Sequence, residues 1–100
     1  MAGDSQRNYD RVPFAMPVRI SKPSPMEAMG LDLGVGGIAV HMAEPVAEGS
    51  HVEMEFFGDG TMVTGTVRKS TPQAGGGFRL GIQFHEENGH LVSAWQSKSK

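Results

Sequence analysis

The sequence contains no cysteine, so neither disulfides nor thiolate–metal sites can hold the fold together. It has no run of roughly 18 apolar residues, and residues 1–10 are polar, so it shows no signal for membrane spanning or secretion. Positive charge is not in excess either: the net charge is -2, whereas a general nucleic-acid binder needs a broad cationic face. We therefore expect a soluble, cytoplasmic protein that binds neither DNA nor RNA, inserts into no membrane and is stabilised by its core.

The 100 residues suffice for one domain, and their apolar side chains recur mostly with period two between turns rich in glycine and proline. This alternation predicts strands at residues 14–20, 38–42, 52–56, 63–67 and 78–84, with the last two paired. Pro17 indicates that the first strand lies at a sheet edge or contains a bulge, and Asp59-Gly60 predicts a hairpin. The pattern is typical of a small barrel or sandwich.

Two other segments differ from this pattern. A short segment around Met26 to Leu33, in which we place Asp32 at a strand end, leads into a glycine-rich turn. At the C-terminus the period changes, because Leu91, Val92 and Trp95 fall on one helical face after Asn88, a suitable cap. We expect one short helix that covers the barrel.

Two motifs combine unusual residues with unusual placement. The sequence RNYDR, from Arg7 to Arg11, comes just before the first strand, and DLGVGG, from Asp32 to Gly37, follows about twenty residues later. Arginine forks match phosphate oxygens and the O6/N7 edge of guanine, and a carboxylate accepts hydrogen bonds from guanine N1–H and N2–H. A glycine turn lets a base or phosphate approach the backbone. Together these groups suit a compact dianion that carries guanines.

With these motifs the sequence resembles the PilZ family, whose signatures are RxxxR and [D/N]xSxxG in that order. The segments GTVR, ending at Arg68, and GIQF, ending at Phe84, are also similar to the family's later strands. The resemblance implies an all-β fold, a six-stranded antiparallel β-barrel with a short C-terminal helix, that binds cyclic di-GMP without other cofactors or metals. Its implied ligand-binding residues are Gln6, Arg7, Arg11, Asp32, Gly34, Gly36, Gly37 and, more weakly, Arg68.

Within this implied site, Gln6 is the residue just before the first arginine. In the family, the residue at this position affects whether one or two stacked ligand molecules bind. Gly34 replaces the motif serine, and the lost hydroxyl contact costs about 0.5–1.5 kcal/mol, part of which water or the glycine N–H could recover. We expect residues 1–12 to be a flexible segment that orders on the ligand, residues 13–96 to form the barrel and helix, and residues 97–100 to be a disordered tail.

The leading functional hypothesis is a cyclic di-GMP receptor that is not an enzyme and passes ligand-driven ordering to an unidentified protein partner in bacterial motility or biofilm signalling. The alternative is a degenerate PilZ domain that no longer binds the nucleotide and serves as a protein-interaction module, for instance in motility or pilus assembly. A barrel that binds single-stranded RNA is disfavoured, because one Trp and one Tyr provide no row of stacking platforms. The histidines show no metal-ligand spacing, and nothing resembles a nucleophile elbow or a catalytic triad.

Overall fold

The computed structural model of the protein describes residues 11–58 and 60–98, which form seven strands and one helix. Every strand pairing is antiparallel. The expected mainly-β fold with a C-terminal helix is confirmed. The elements are β1 (Val12–Pro13), β2 (Pro17–Lys22), β3 (Met26–Leu33), β4 (Gly37–Met42), β5 (His51–Phe56), β6 (Thr61–Pro72), β7 (Phe78–Phe84) and α1 (Gly89–Lys98).

Six of the strands close into a barrel. Around the barrel they run β3, β2, β5, β6, β7 and β4, and pairing of β4 with β3 completes the circle. The two-residue β1 is an extra strand on β3. The expected pairing of the segments that became β6 and β7 is confirmed, with Val67 opposite Ile82. Closure leaves the barrel strands without a free sheet edge, which is how small antiparallel folds protect their backbone groups.

The core follows from the period-two alternation of apolar residues. On β5, Val52, Met54 and Phe56 are at most 1% exposed, while His51 faces solvent. The alternation predicted for β7 also holds, except that Phe78 is only partly buried. Neighbouring strands add further buried side chains to one cluster, namely Val18, Ile20, Leu33, Ile38, Val40, Met42, Val63, Val67, Leu80, Ile82 and Phe84.

The first predicted strand is interrupted. Residues 14–16 separate β1 from β2, where the amide of Met16 bonds to the carbonyl of Phe14, and Pro17 opens β2. This agrees with the edge or bulge expected at Pro17, because proline cannot donate to a strand ladder. The side chain of Phe14 turns into the core at the break and is fully buried.

The segment around Met26 to Leu33 forms β3, a strand of eight residues, and the strand end expected at Asp32 lies within it. It lacked an apolar alternation because its inward positions include Ala28 and Gly30, which are small. A Cβ on Gly30 would lie 2.4 Å from the carbonyl oxygen of Phe14, so the glycine makes room for the chain crossing at the interrupted strand. Pairing of β3 with strands on both sides overrides its weak local preference.

The hairpin between β5 and β6 is confirmed by the pairing of Phe56 with Thr61. Phe57 and Gly58 have φ values of 65° and 69°, in the left-handed region that tight turns use. Asp59, on which part of the prediction rested, lies outside the described residues. The hairpin therefore forms where expected, with left-handed backbone already at the residue before Gly58.

The C-terminal helix α1 packs against the start of the barrel. The Asn88 side-chain oxygen accepts a hydrogen bond from the Leu91 amide at 3.2 Å, so Asn88 caps α1 as expected. Leu91 is buried, and Trp95 donates from Nε1 to the carbonyl of Pro13 at 2.8 Å. The helix continues to Lys98, so it includes the first two residues of the range 97–100 that was expected to be a disordered tail. No helix among the described residues is long and apolar enough to cross a membrane.

Candidate functional site

The glycine-rich turn between β3 and β4 forms the base of the candidate site. The pair Leu33 and Ile38 closes this hairpin, and the Gly34 amide donates to the carbonyl of Gly37 at 2.8 Å. Gly37 must be glycine, because a Cβ there would lie 2.4 Å from the carbonyl oxygen of Ile82 on β7. The turn thereby brings the start of β4 into close contact with β7.

Arg11 reaches across this turn from the segment before β1. Because β1 pairs Pro13 with Asp32, the chain enters the sheet beside the second motif. The Arg11 guanidinium forms an ion pair with Oδ1 of Asp32, and its Nη1 donates to the carbonyl of Gly37 at 3.3 Å. One side chain of the first motif therefore contacts both ends of the second.

A second arginine, Arg79 on β7, also contacts Asp32, with its Nη2 3.4 Å from Oδ2. The Asp32 side chain is 29% exposed, whereas those of Arg11 and Arg79 are 42% and 48% exposed. The carboxylate thus lies between two guanidinium groups and is only partly shielded from water. Sequence reasoning missed Arg79, since no motif marks it and 47 residues separate it from Asp32.

Arg68 on β6 lies across the same surface. Its Nε donates to the side-chain oxygen of Gln83 at 2.6 Å, which holds the guanidinium beside β7. The outward side chains of Arg68 and Gln83 and the glycine-rich turn enclose a shallow depression of about 240 Å³. Its lining consists of Arg11, Gly36, Gly37, Ile38, Arg68, Gly81, Ile82 and Gln83.

The structure thus brings five of the expected ligand-binding residues to one surface: Arg11, Asp32, Gly36, Gly37 and Arg68. Gly34 is adjacent but buried, and its N–H is used within the turn, so that N–H is not available to replace the missing serine hydroxyl. Gln6 and Arg7 lie outside the described residues. Gln83 joins Arg79 as a residue that the sequence did not single out.

The histidines show one arrangement that their spacing did not predict. The rings of His51 and His85 lie 4.9 Å apart edge to face, and His85 sits between the hydroxyls of Thr64 and Thr66 at 3.1 and 2.9 Å. No group of three metal-ligating side chains occurs among the residues that the structure describes. The histidine pair is therefore a surface contact between His51, at the start of β5, and His85, just beyond the end of β7.

A closed antiparallel barrel with a terminal helix, in which two arginines converge on a carboxylate beside a glycine turn, defines a small all-β domain. The family model of the PilZ domain matches residues 5–94, so the chain belongs to the PilZ family. The domains of this family are binding or adaptor domains rather than enzymes, and the family is one of cyclic di-GMP receptors.

Comparison with solved structures supports the fold. The chain is similar to the inhibitor of motility MotI/DgrA of Bacillus subtilis, with a TM-score of 0.67 and 16% sequence identity. The match covers 88% of this chain and 46% of that one, so this chain spans about half the length of that relative. No curated protein sequence matches the chain significantly. At this level of identity the structural likeness concerns the fold alone.

Proposed function

We propose that this protein is a cyclic di-GMP receptor that acts as a non-enzymatic adaptor in the cytoplasm. The observation that carries the proposal is the reach of Arg11, which contacts Asp32 and the carbonyl of Gly37 from positions 21 and 26 residues away in the chain. Arg11 of the first motif thereby meets the second motif on one surface. A ligand that joins phosphates to guanines is complementary to this combination of guanidinium fork, carboxylate and glycine turn.

The charge of the surface supports a dianionic ligand. Arg11 and Arg79 contact the carboxylate of Asp32, and Arg68 lines the same depression as Arg11, so these four described side chains together carry two positive charges in excess. Cyclic di-GMP carries two phosphates, each a match for a planar guanidinium fork. The protein as a whole has a net charge of -2, so this excess is a local property of the site.

Ligand binding is proposed to work through Arg11 changing partner. Its contacts with Asp32 and Gly37 are partly exposed, so exchanging them for phosphate contacts costs little. Arg7, the other arginine of the first motif, would close on the ligand from the N-terminal segment. Ordering each flexible residue costs roughly 1–2 kcal/mol, so affinity and ordering are coupled. Amide hydrogen exchange of residues 1–10, with and without cyclic di-GMP, should show protection only with the ligand.

The ordered N-terminal segment would then alter contact with a protein partner. The relative MotI/DgrA is described as an inhibitor of motility, which supports motility as the first process to test. Pull-down of motility proteins with the full chain should depend on cyclic di-GMP. Equal capture with and without the nucleotide would contradict this step while leaving ligand binding itself intact.

Isothermal titration with cyclic di-GMP tests the receptor directly. The parent chain should release heat, and Arg11→Ala and Asp32→Ala should each bind at least about tenfold more weakly, because each removes charged hydrogen bonds worth about 1.5–3 kcal/mol. Arg19→Ala is the matched control, since Arg19 forms an exposed ion pair with Glu27 at 3.4 Å on β2 and β3. The proposal fails if the parent chain shows no binding or if all three variants bind as it does.

A degenerate domain that no longer binds the nucleotide is the second candidate, and Gly34 is the observation that favours it. The missing hydroxyl is not replaced by the Gly34 N–H, which bonds to Gly37. The variant Gly34→Ser separates the two candidates. A receptor weakened at this position should bind about threefold to tenfold more tightly once the hydroxyl is restored. Because Gly34 is buried, thermal unfolding of the variant is measured beside the titration.

A further inference from the structure

Asp32 is held through both of its oxygens by arginines from two different parts of the fold. Arg11 contacts Oδ1 and Arg79 contacts Oδ2. An ionised carboxylate accepts about four hydrogen bonds, so two guanidinium contacts leave capacity for further donors. The side chain remains 29% exposed, so a ligand can reach it. Asp32 can therefore be held in place and still accept hydrogen bonds from a bound base.

The two arginines differ in how firmly their backbones are fixed. Arg79 lies in β7 between two paired strands, opposite His41 on β4 and Thr71 on β6. Arg11 precedes β1, the two-residue strand outside the barrel circle. Ladder pairing on both sides holds the Arg79 backbone, whereas the Arg11 backbone borders only one short pairing. Arg79 is thus the more permanent partner of Asp32.

Resting on the proposed function, we propose that Arg79 is a positioning residue for Asp32. When Arg11 leaves the carboxylate for a phosphate of cyclic di-GMP, Arg79 keeps hold of Oδ2, so the carboxylate stays aimed at the N1–H and N2–H of a guanine. Without Arg79, the Asp32 side chain must be ordered by the ligand itself, which weakens binding. Arg79 also keeps positive charge beside the ligand after Arg11 has moved.

The opposite effect would follow if Arg79 competed with the base for Asp32. Removal of Arg79 would then free an acceptor and tighten binding. The two ideas therefore predict changes of opposite sign in the dissociation constant. They also differ in selectivity, because a carboxylate positioned to accept from N2–H favours guanine over hypoxanthine, the base that lacks the 2-amino group.

The experiment titrates the full-length parent chain, Arg79→Ala, Arg79→Lys and Arg19→Ala with cyclic di-GMP and with cyclic di-IMP. For Arg79→Ala we expect cyclic di-GMP binding to weaken about fivefold, the upper range for a partly exposed ion pair. The preference for cyclic di-GMP over cyclic di-IMP should shrink as well. Arg79→Lys should lie between the parent and Arg79→Ala. Arg19→Ala, which loses an ion pair of the same 3.4 Å length, should match the parent with both ligands.

The selectivity ratio distinguishes positioning from general structural damage. A merely structural loss would weaken both ligands equally and leave the ratio unchanged, which would overturn the inference. Tighter binding by Arg79→Ala, or binding equal to that of the parent, would overturn it too, with the receptor function still standing. If the parent binds neither ligand, the receptor function and the inference fall together.

Discussion

The interior of the barrel and the surface around Asp32 are held together by different interactions. Inside, apolar side chains from all six barrel strands pack in one cluster, and Phe14 and Phe56 are completely buried. Around Asp32, the contacts are ion pairs and hydrogen bonds between side chains that are 29% to 48% exposed. Burial contributes most of the free energy of folding, whereas exposed ion pairs contribute little.

This difference separates stability from recognition. A change in the interior should lower the free energy of unfolding, whereas a change at Asp32 should alter ligand binding and leave unfolding nearly unchanged. Gly37 connects the two regions, because it belongs to the turn beneath Arg11 and also packs against β7. Variants in each region therefore test whether stability and recognition depend on different residues.

The largest effect on stability is expected from Phe14→Ala. The ring of Phe14 contacts those of Phe56, Phe57 and Trp95 at centroid distances of 5.7, 6.1 and 4.9 Å. Emptying this position should lower the free energy of unfolding by about 3–5 kcal/mol, measured by urea denaturation. Met62→Ala is the control, since Met62 is 49% exposed and its loss should change stability by less than about 0.5 kcal/mol. Similar values for both variants would remove the distinction between interior and surface.

A smaller loss is expected from Gly37→Ala, which tests the connection between the two regions. The new Cβ would lie 2.4 Å from a backbone carbonyl, so β4 and β7 must separate, at a cost of about 1–3 kcal/mol. Gly36→Ala is the matched control, because a Cβ there meets nothing within 4 Å. Urea denaturation should distinguish the two neighbouring substitutions. If both are tolerated equally, the close approach of the turn to β7 is wrong.

Trp95→Phe should cost about 1 kcal/mol, because it removes one hydrogen bond to the carbonyl of Pro13 and keeps an aromatic ring against Phe14. Thermal and urea unfolding provide the measurement. Ser93→Ala, an exposed change on the same helix, is the control. An unchanged free energy of unfolding in Trp95→Phe would show that this bond does not help to fix α1 on the barrel.

The smallest effect on stability is expected from Arg11→Ala. It removes an ion pair whose side chains are 42% and 29% exposed, so the free energy of unfolding should fall by less than about 1 kcal/mol. The same variant should lose cyclic di-GMP binding in the titration described above. A loss of several kcal/mol in stability would mean that Arg11 serves the fold, and the separation of the two regions would fail.

The interior was largely predictable from the sequence because strand alternation is a local signal. The inward residues of β4, β5 and β6 were all predicted, and the structure confirms them. For β3 only the strand end at Asp32 was predicted and not its extent, because Gly30 occupies an inward position to make room for Phe14, a requirement that arises only when distant segments meet. This tertiary contact requires a glycine at an inward position, so the segment lacks the two-residue apolar alternation from which a strand is predicted.

The candidate site was predictable only in part. Arg11 and Asp32 stand in motifs that can be recognised along the chain, and the structure brings them into contact. Arg79 is recognisable from its alternation as an outward residue of β7, yet its contact with Asp32 depends on the order β3–β4–β7 around the barrel. No local pattern encodes that order. The use of the Gly34 amide inside the turn likewise became visible only in three dimensions.

The location of the ligand is the most direct test of the proposed receptor. Amide chemical shifts of the labelled full chain, followed by NMR during titration with cyclic di-GMP, should change most at residues 32–38 and 81–83, which surround Arg11 and Arg68. The amides of β5, which contributes no residue to the lining of this surface, should change least. Shifts concentrated on β5, or no shifts at saturating nucleotide, would contradict the account.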